Sequence, residues 1–403
     1  MTRVLFTDDE APVLDGLRTR LYRQNGKWTM VFVESGTRAL TEFEREPFDV
    51  IVTDMRMPGM DGAELLERVS ERWPATIRIV LSGYAEPQQA LRLVPVAHQY
   101  LSKPCDAKRL VSAIERCMQL HALLPHPNLR ALAGRVRMLP VMPRVYAALR
   151  DLLTHDDATT QQIAELVTAD PVISAKILQM ATSAFFRLAR PITNIDQAVG
   201  YLGIAAMRNL VTAPPVFVPL PERGAAGLVN FEELQARSHA AAAAAHALAA
   251  DAQMADQALL AGLLHDIGYW LLAHEYPGDL AKAVEIAMKE RIPLHEAEVR
   301  VIGASHAQVG AYLLGLWGLP QPLVDAVAHH HSPQSAAAPT DFGPLAALAI
   351  ALALLPSDES SAFPTGIVAS PKVDANFLSR VNAPFDWTEA TERVAEIFEE
   401  TEA

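Results

Sequence analysis

Five residues within the first 103 of the chain could together carry out phosphoryl chemistry. Asp8 and Asp9 follow the apolar run Val4-Leu5-Phe6, Asp54 follows DVIVT (Asp49 to Thr53), Ser82 follows IRIVL (Ile77 to Leu81), and Lys103 lies just beyond Tyr100-Leu101. Each sits where a short apolar run stops. Three carboxylates brought together repel, and each resists being charged alone. A hard divalent cation such as Mg²⁺ resolves that conflict through oxygen ligands. Asp54 can then attack a phosphoryl group as a nucleophile and form an acyl phosphate. The cation would neutralise charge on the phosphoryl oxygens, Lys103 would add a point charge, and Ser82 offers a hydroxyl.

A second set lies further on, where nine of the thirteen histidines come after residue 230. His239 shares a helical face with His246, His265-Asp266 closes the run ALLAGLL, His306 opens HAQVGAYLL, and His329-His330-His331 ends another helix. Imidazole and carboxylate together suit iron, manganese, zinc or nickel. A helical bundle can gather such side chains from distant segments into one core site. The bland alternative is a packed hydrogen-bond network, and His246, His274 and His295 read as structural or exposed.

The elements that position the first set alternate in type. Val4 to Phe6, Met30 to Val33, Asp49 to Thr53, Ile77 to Leu81 and Tyr100-Leu101 read as five short strands separated by helical patterns. That order implies a doubly wound α/β domain with a five-stranded parallel sheet. In such sheets ligands bind beyond the carboxyl ends of the strands, where these five residues fall. Asp106 to Leu120 reads as the domain's last helix, with Leu110, Ile114 and Met118 on one face. HALLPHPN (His121 to Asn128) breaks it, so residues 1–122 form one domain and 123–128 a linker. Beyond, strand signals vanish. Residues 129–400 read as all-α, with Asp170 and Asn194 as helix N-caps. A loop from Pro215 to Gly227 divides them into lobes of about 129–214 and 228–400. Ser357 to Gly366 reads as a polar loop, and an acidic terminal helix carries Trp387, Val394, Ile397 and Phe398.

Composition narrows the function classes. The 403 residues suffice for two or three domains, and half are hydrophobic. Two cysteines are too few for a disulfide framework, which fits a reducing, cytoplasmic setting. The longest apolar run, Leu345 to Pro356, falls short of the ~20 residues of a spanning helix, so no membrane insertion is expected. The formal charge of −13 and the lack of a basic recognition helix argue against direct DNA binding.

TDDE (Thr7 to Glu10), TDMRMPGMDG (Thr53 to Gly62), LSGY (Leu81 to Tyr84) and YLSKP (Tyr100 to Pro104) resemble the signature blocks of the flavodoxin-like receiver domains of two-component response regulators. The resemblance spans about 120 residues. It implies that Asp54 is the phosphoacceptor and a sensor histidine kinase the donor. Asp8, Asp9, Asp54 and the backbone carbonyl of Arg56 would hold Mg²⁺, with Lys103 and Ser82 assisting phosphotransfer. Ser82 and Tyr100 would form a switch pair, and the Lys103-Pro104 bond is a candidate for the cis form.

The histidine blocks, from about Phe231 to Pro333, resemble the HD superfamily of metal-dependent phosphohydrolases. His239 and the pair His265-Asp266 match its first ligands, and His306 with either His330 and His331 or His329 and His330 looks like the extra ligands of its two-metal branch. Departures are plain. HDIGY puts Tyr269 where the family has a catalytic lysine, the GYP block is absent, and LAALAIALALL (Leu345 to Leu355) lacks the closing aspartate. The earlier blocks LPVMPRVYAALRDLL, ADPVISAKILQMATSAFF and ITNIDQAVGYLG resemble the HDOD, or HD-related output, family, which is generally regarded as a non-enzymatic signalling module. Its usual NSA appears as Thr182-Ser183-Ala184. Two readings are therefore open: a phosphorylation-gated interaction protein with an unidentified downstream partner, or a receiver-controlled metal-dependent phosphohydrolase acting on, for example, a cyclic dinucleotide. The oligomeric state is also open, a homodimer included.

Overall fold

The computed structural model describes residues 1–83, 93, 95–135, 139–182, 192, 194–212, 217–219, 229–335, 342–355, 371, 373 and 375–402. It opens with β1 (Thr2–Thr7), α1 (Ala11–Arg20), β2 (Trp28–Val33), α2 (Gly36–Arg45), β3 (Val50–Asp54), α3 (Gly62–Arg72), β4 (Ile77–Ser82), β5 (Gln99–Ser102) and α4 (Ala107–Gln119). All five strands pair in parallel in the order β2-β1-β3-β4-β5. The expected doubly wound sheet is present, and its strands match the five apolar runs. Successive side chains leave a strand on opposite faces. Val4 and Phe6 therefore join one core with Leu14, Leu17, Leu110 and Ile114. Leu5 joins the other, with Phe43, Leu65 and Leu66. Asp61 and Asp106 cap α3 and α4 by accepting from the amides of Glu64 and Lys108.

The helical region comprises α5 (Pro127–Arg135), α6 (Pro143–Leu152), α7 (Thr160–Thr168), α8 (Pro171–Ala181), α9 (Ile195–Thr212), α10 (Phe231–Ala247), α11 (Ala252–Leu264), α12 (Ile267–Glu275), α13 (Pro277–Glu290), α14 (Leu294–Val301), α15 (His306–Leu316), α16 (Gln321–His329), α17 (Pro344–Leu354), α18 (Ala375–Arg380) and α19 (Trp387–Glu402). Asp170 caps α8 as expected and also accepts the Met142 amide at 2.7 Å, which ties α6 to α8. No described helix is long and apolar enough to cross a membrane; α17, the apolar run of the sequence, is packed in the core.

Two expectations need correction. The region is not purely helical, because β6 (Leu139–Val141) pairs in parallel with β7 (Phe217–Pro219), a strand inside the stretch read as a loop. The alternation that marks a strand cannot show in three residues, two of the six being proline. The expected linker, 123–128, is also partly helical and packed. A 3-10 turn (Leu120–Ala122) leads almost directly into α5, and His121 stacks against Tyr312 of α15. One hydrophobic core runs without a break from the sheet through Leu120 and Leu124 into the helical region. Ser183 and Ala184, Tyr84 and the whole loop Ser357 to Gly366 lie outside the described residues.

Candidate functional site

The parallel register sets the first site. Thr7 of β1 pairs with Thr53 of β3, and Asp54 with Leu81 of β4, so Asp8 and Asp54 leave the sheet at one level. Both carboxylates are at least nine-tenths buried, while Asp9 is exposed. Lys103, just past β5 and before a cis proline, bonds Asp8 Oδ2 at 2.6 Å and also Asp54 Oδ1. Burial lowers the Lys103 pKa, but its bonds to Asp54 and Asp8 outweigh that and the net shift is upward. Asp54 Oδ2 accepts the Arg56 amide at 2.6 Å. The site thus gathers carboxylate oxygens, which suit a hard cation, around one ammonium. Ser82 ends β4, its backbone paired with Ser102; its side chain is outside the description. Tyr100 is buried beside this edge, and burial pushes its pKa up.

The second site lies in the helical bundle, where Asp266 sits at the turn between α11 and α12. Its Oδ2 is 3.0 Å from His265 Nε2 and 3.5 Å from Arg237 Nε, and its Oδ1 is 3.3 Å from His306 Nε2 and 3.8 Å from His330 Nε2. His306, the first residue of α15, pairs through Nδ1 with Glu298 Oε2 at 2.8 Å, and its own amide donates to the same oxygen. His331 Nε2 lies 3.0 Å from His306 Nε2. One ligand atom from each of His306, His330 and His331 falls within 4.8 Å of the others. Backbone carbonyls of Gly262 and Val327 bond Nδ1 of His265 and His330, so both rings turn Nε2 inward. His330 Nε2 is buried and has no hydrogen-bond partner.

Burial would raise the Asp266 pKa, but His265 and His306 hold it well below the usual carboxylate range. Burial would lower His306, yet Glu298 and Asp266 lift it to about 9. Burial pushes His330 and His331 well down, so both stay neutral. A glycine makes the cluster geometrically possible. A Cβ on Gly268 would lie 1.9 Å from the His306 carbonyl oxygen, so only glycine lets α12 pass so close to the start of α15.

Family comparisons divide the chain as the two sites do. Residues 4–115 match the response regulator receiver domain, and residues 139–333 match the HDOD domain. The chain joins a receiver domain to an HDOD domain. This domain content is that of a response regulator. An uncharacterized protein of Treponema pallidum is 26% identical over 220 residues, 53% of this chain and 41% of that one. The hydrogenase transcriptional regulatory protein HoxA of Cupriavidus necator is 35% identical over 122 residues, 30% of this chain and 25% of its own. The chain thus spans less than half the length of either relative. Among solved structures, the MmoQ response regulator of Methylococcus capsulatus aligns over 63% of this chain and 98% of its own, at 23% identity and a TM-score of 0.46.

In the HDOD domain, His265, Asp266, His306, His330 and His331 converge. His239 does not join them: its Nε2 meets the Thr168 carbonyl at 3.2 Å, which fastens α10 to the end of α7. One half-turn earlier on α10, Arg237 faces Asp266 instead. Sequence reading missed Arg237 and Glu298. Glu298 had a local signal, for it shares the inner face of α14 with Leu294 and Ala297, and a carboxylate there needs a partner. His295 is half-buried and stacks on His331 with ring centres 4.1 Å apart. Tyr269, at the position read as a lost lysine, stacks on His306 at 3.8 Å.

Proposed function

We propose that the protein is a phosphorylation-gated switch whose HDOD domain acts on partners by binding them. A sensor histidine kinase would be the donor: an Asp54 oxygen attacks phosphorus, and the phosphorus–nitrogen bond to the kinase histidine breaks. Asp8, Asp9, Asp54 and the Arg56 carbonyl would hold Mg²⁺, which supplies charge neutralisation for the transferring group. Lys103 would follow the new phosphoryl oxygens, leaving its present bonds to Asp8 and Asp54. Ser82 and Tyr100 would relay the change along β4 and β5. The observation that carries this reading is the buried Asp8–Lys103–Asp54 cluster at the carboxyl edge of the sheet.

Its test is labelling by a small phosphodonor with Mg²⁺. The wild type should label, and Asp54→Asn should not; undiminished labelling of the variant overturns the assignment. Beryllofluoride should alter the protein's shape or assembly in scattering, and an unchanged profile would remove the gating.

A second reading has its own observation. The converging histidine nitrogens and the unpartnered His330 Nε2 fit a transition metal, held by His306, His330, His331 and Asp266. Glu298 would orient His306 through Nδ1. Metal would have to displace the proton of His306, so affinity should fall at low pH. Helix α17, which covers the sequence where the HD superfamily places its closing aspartate, contributes only apolar side chains. That favours a binding module over a phosphohydrolase. Protein purified without chelator under low oxygen should be analysed for metals. Near-stoichiometric iron, manganese, nickel or zinc, lost in His330→Ala, supports the centre and warrants a phosphodiester screen; absence of metal leaves a hydrogen-bond network.

A further inference from the structure

A crevice of about 390 Å³ lies where the receiver meets the HDOD domain. One wall is receiver: Tyr100 on β5, with Lys108, Arg109 and Arg116 on α4. The other is HDOD: Gln179 on α8 and Trp317 at the end of α15. Ligand sites favour such domain junctions, and this volume is within their usual range.

Its charge sets it apart. Among the described residues three cations line it and no carboxylate does. The chain carries 47 acidic against 34 basic residues, so surface cations have acids at hand. Elsewhere on the receiver Arg18, Arg45, Arg68 and Arg72 are each ion-paired, while Arg20, Arg23 and Arg38 stand without an ion pair among the described residues but singly; in the crevice three cations share one wall. Lys108, Arg109 and Arg116 have no acidic partner among the described residues. Lys108 and Arg116 are also two turns apart on α4, so they lie on one face of that helix. Lys176 lies over the Trp317 ring at 5.0 Å, behind the HDOD wall. Like charges gathered along one edge of a concave, low-dielectric space focus a field that attracts anions. Two guanidinium groups beside an ammonium suit phosphate oxygens, which they can grip in bidentate fashion.

We propose that this crevice is a binding site for a small, multiply charged phosphate compound. It is separate from Asp54 and from the histidine cluster, and needs neither metal. Because its walls come from both domains, the occupant would favour the joined arrangement. Because Tyr100 is part of a wall, the state of Asp54 and occupancy of the crevice would influence each other, as linkage requires.

The test is calorimetric titration of the full chain in EDTA, which removes Mg²⁺-dependent binding at Asp54 and metal-dependent binding at the histidines. Pyrophosphate and ATP are separate probes: equal affinity indicates that phosphate groups alone are read, and tighter ATP indicates that a base is read too. Either supports the site if the triple variant Lys108→Gln/Arg109→Gln/Arg116→Gln binds at least tenfold more weakly. These side chains are exposed, so the variant should keep the wild-type melting temperature. No binding at millimolar probe overturns the proposal, as does binding that the triple variant leaves unchanged.

Discussion

At the scale of single residues, burial decides what each charge can do. Lys103 keeps its proton because two carboxylates face it. Lys176, enclosed in the core of α8, has burial working against it and is pulled down to about 7 from an ordinary 10.5. Between those values the unfolded chain holds a proton that the folded chain has released. Stability therefore rises with pH across that window, and falls as pH drops toward 7. Lys176→Met removes the titrating group, so its unfolding free energy should change less than the wild type's between pH 7 and 10. Denaturant titrations at several pH values would show it; parallel profiles would mean the lysine is not desolvated as described.

At the scale of elements, the histidine cluster depends on how closely two helices approach. Gly268 of α12 lies against the first residue of α15, and Gly310 of α15 packs back on Ile267 and Gly268. Gly268→Ala should force these helices apart at a cost of about 1–3 kcal/mol or more, as overpacking does. It should also lower any metal content, since His306 moves with α15. A melting temperature within a degree of the wild type would show that the bundle absorbs a methyl here. Elements also explain the exclusion of His239. A helix face is about three residues wide, and the part of α10 turned toward Asp266 carries Arg237 instead.

At the scale of the whole molecule, the receiver and the HDOD domain share a core and a polar tie. Arg78 of β4 is 2% exposed and donates to Val96 O at 2.5 Å and Gly134 O of α5 at 2.6 Å. Gln179 of α8 donates to His98 O at 3.3 Å, two residues before Tyr100. The backbones are so close that a Cβ on Gly134 would meet the Pro74 oxygen at 1.8 Å. These contacts fasten the segment leading into β5 to the output domain. The wild type should melt in one calorimetric transition. Arg78→Met leaves buried carbonyls unpaired at about 1–3 kcal/mol each, and should separate the melting into two steps. A single unshifted transition in the variant would show that the apolar core alone couples the domains.

The sequence by itself determined the receiver site. Each strand there is a short apolar run, parallel strands end at a common edge, and Asp8, Asp54 and Lys103 stand at those ends; every step is local or a rule of topology. Likewise the caps at Asp170 and Asn194 were legible, because a cap bonds amides two or three residues away. The tertiary structure alone decided the rest. It chose Arg237 over His239, brought Glu298 under His306, paired β6 with β7 across 75 residues, and packed the two domains around one continuous core. Those outcomes depend on which distant surface buries a given side chain. Helical periodicity reports that a face is buried, but not what lies against it.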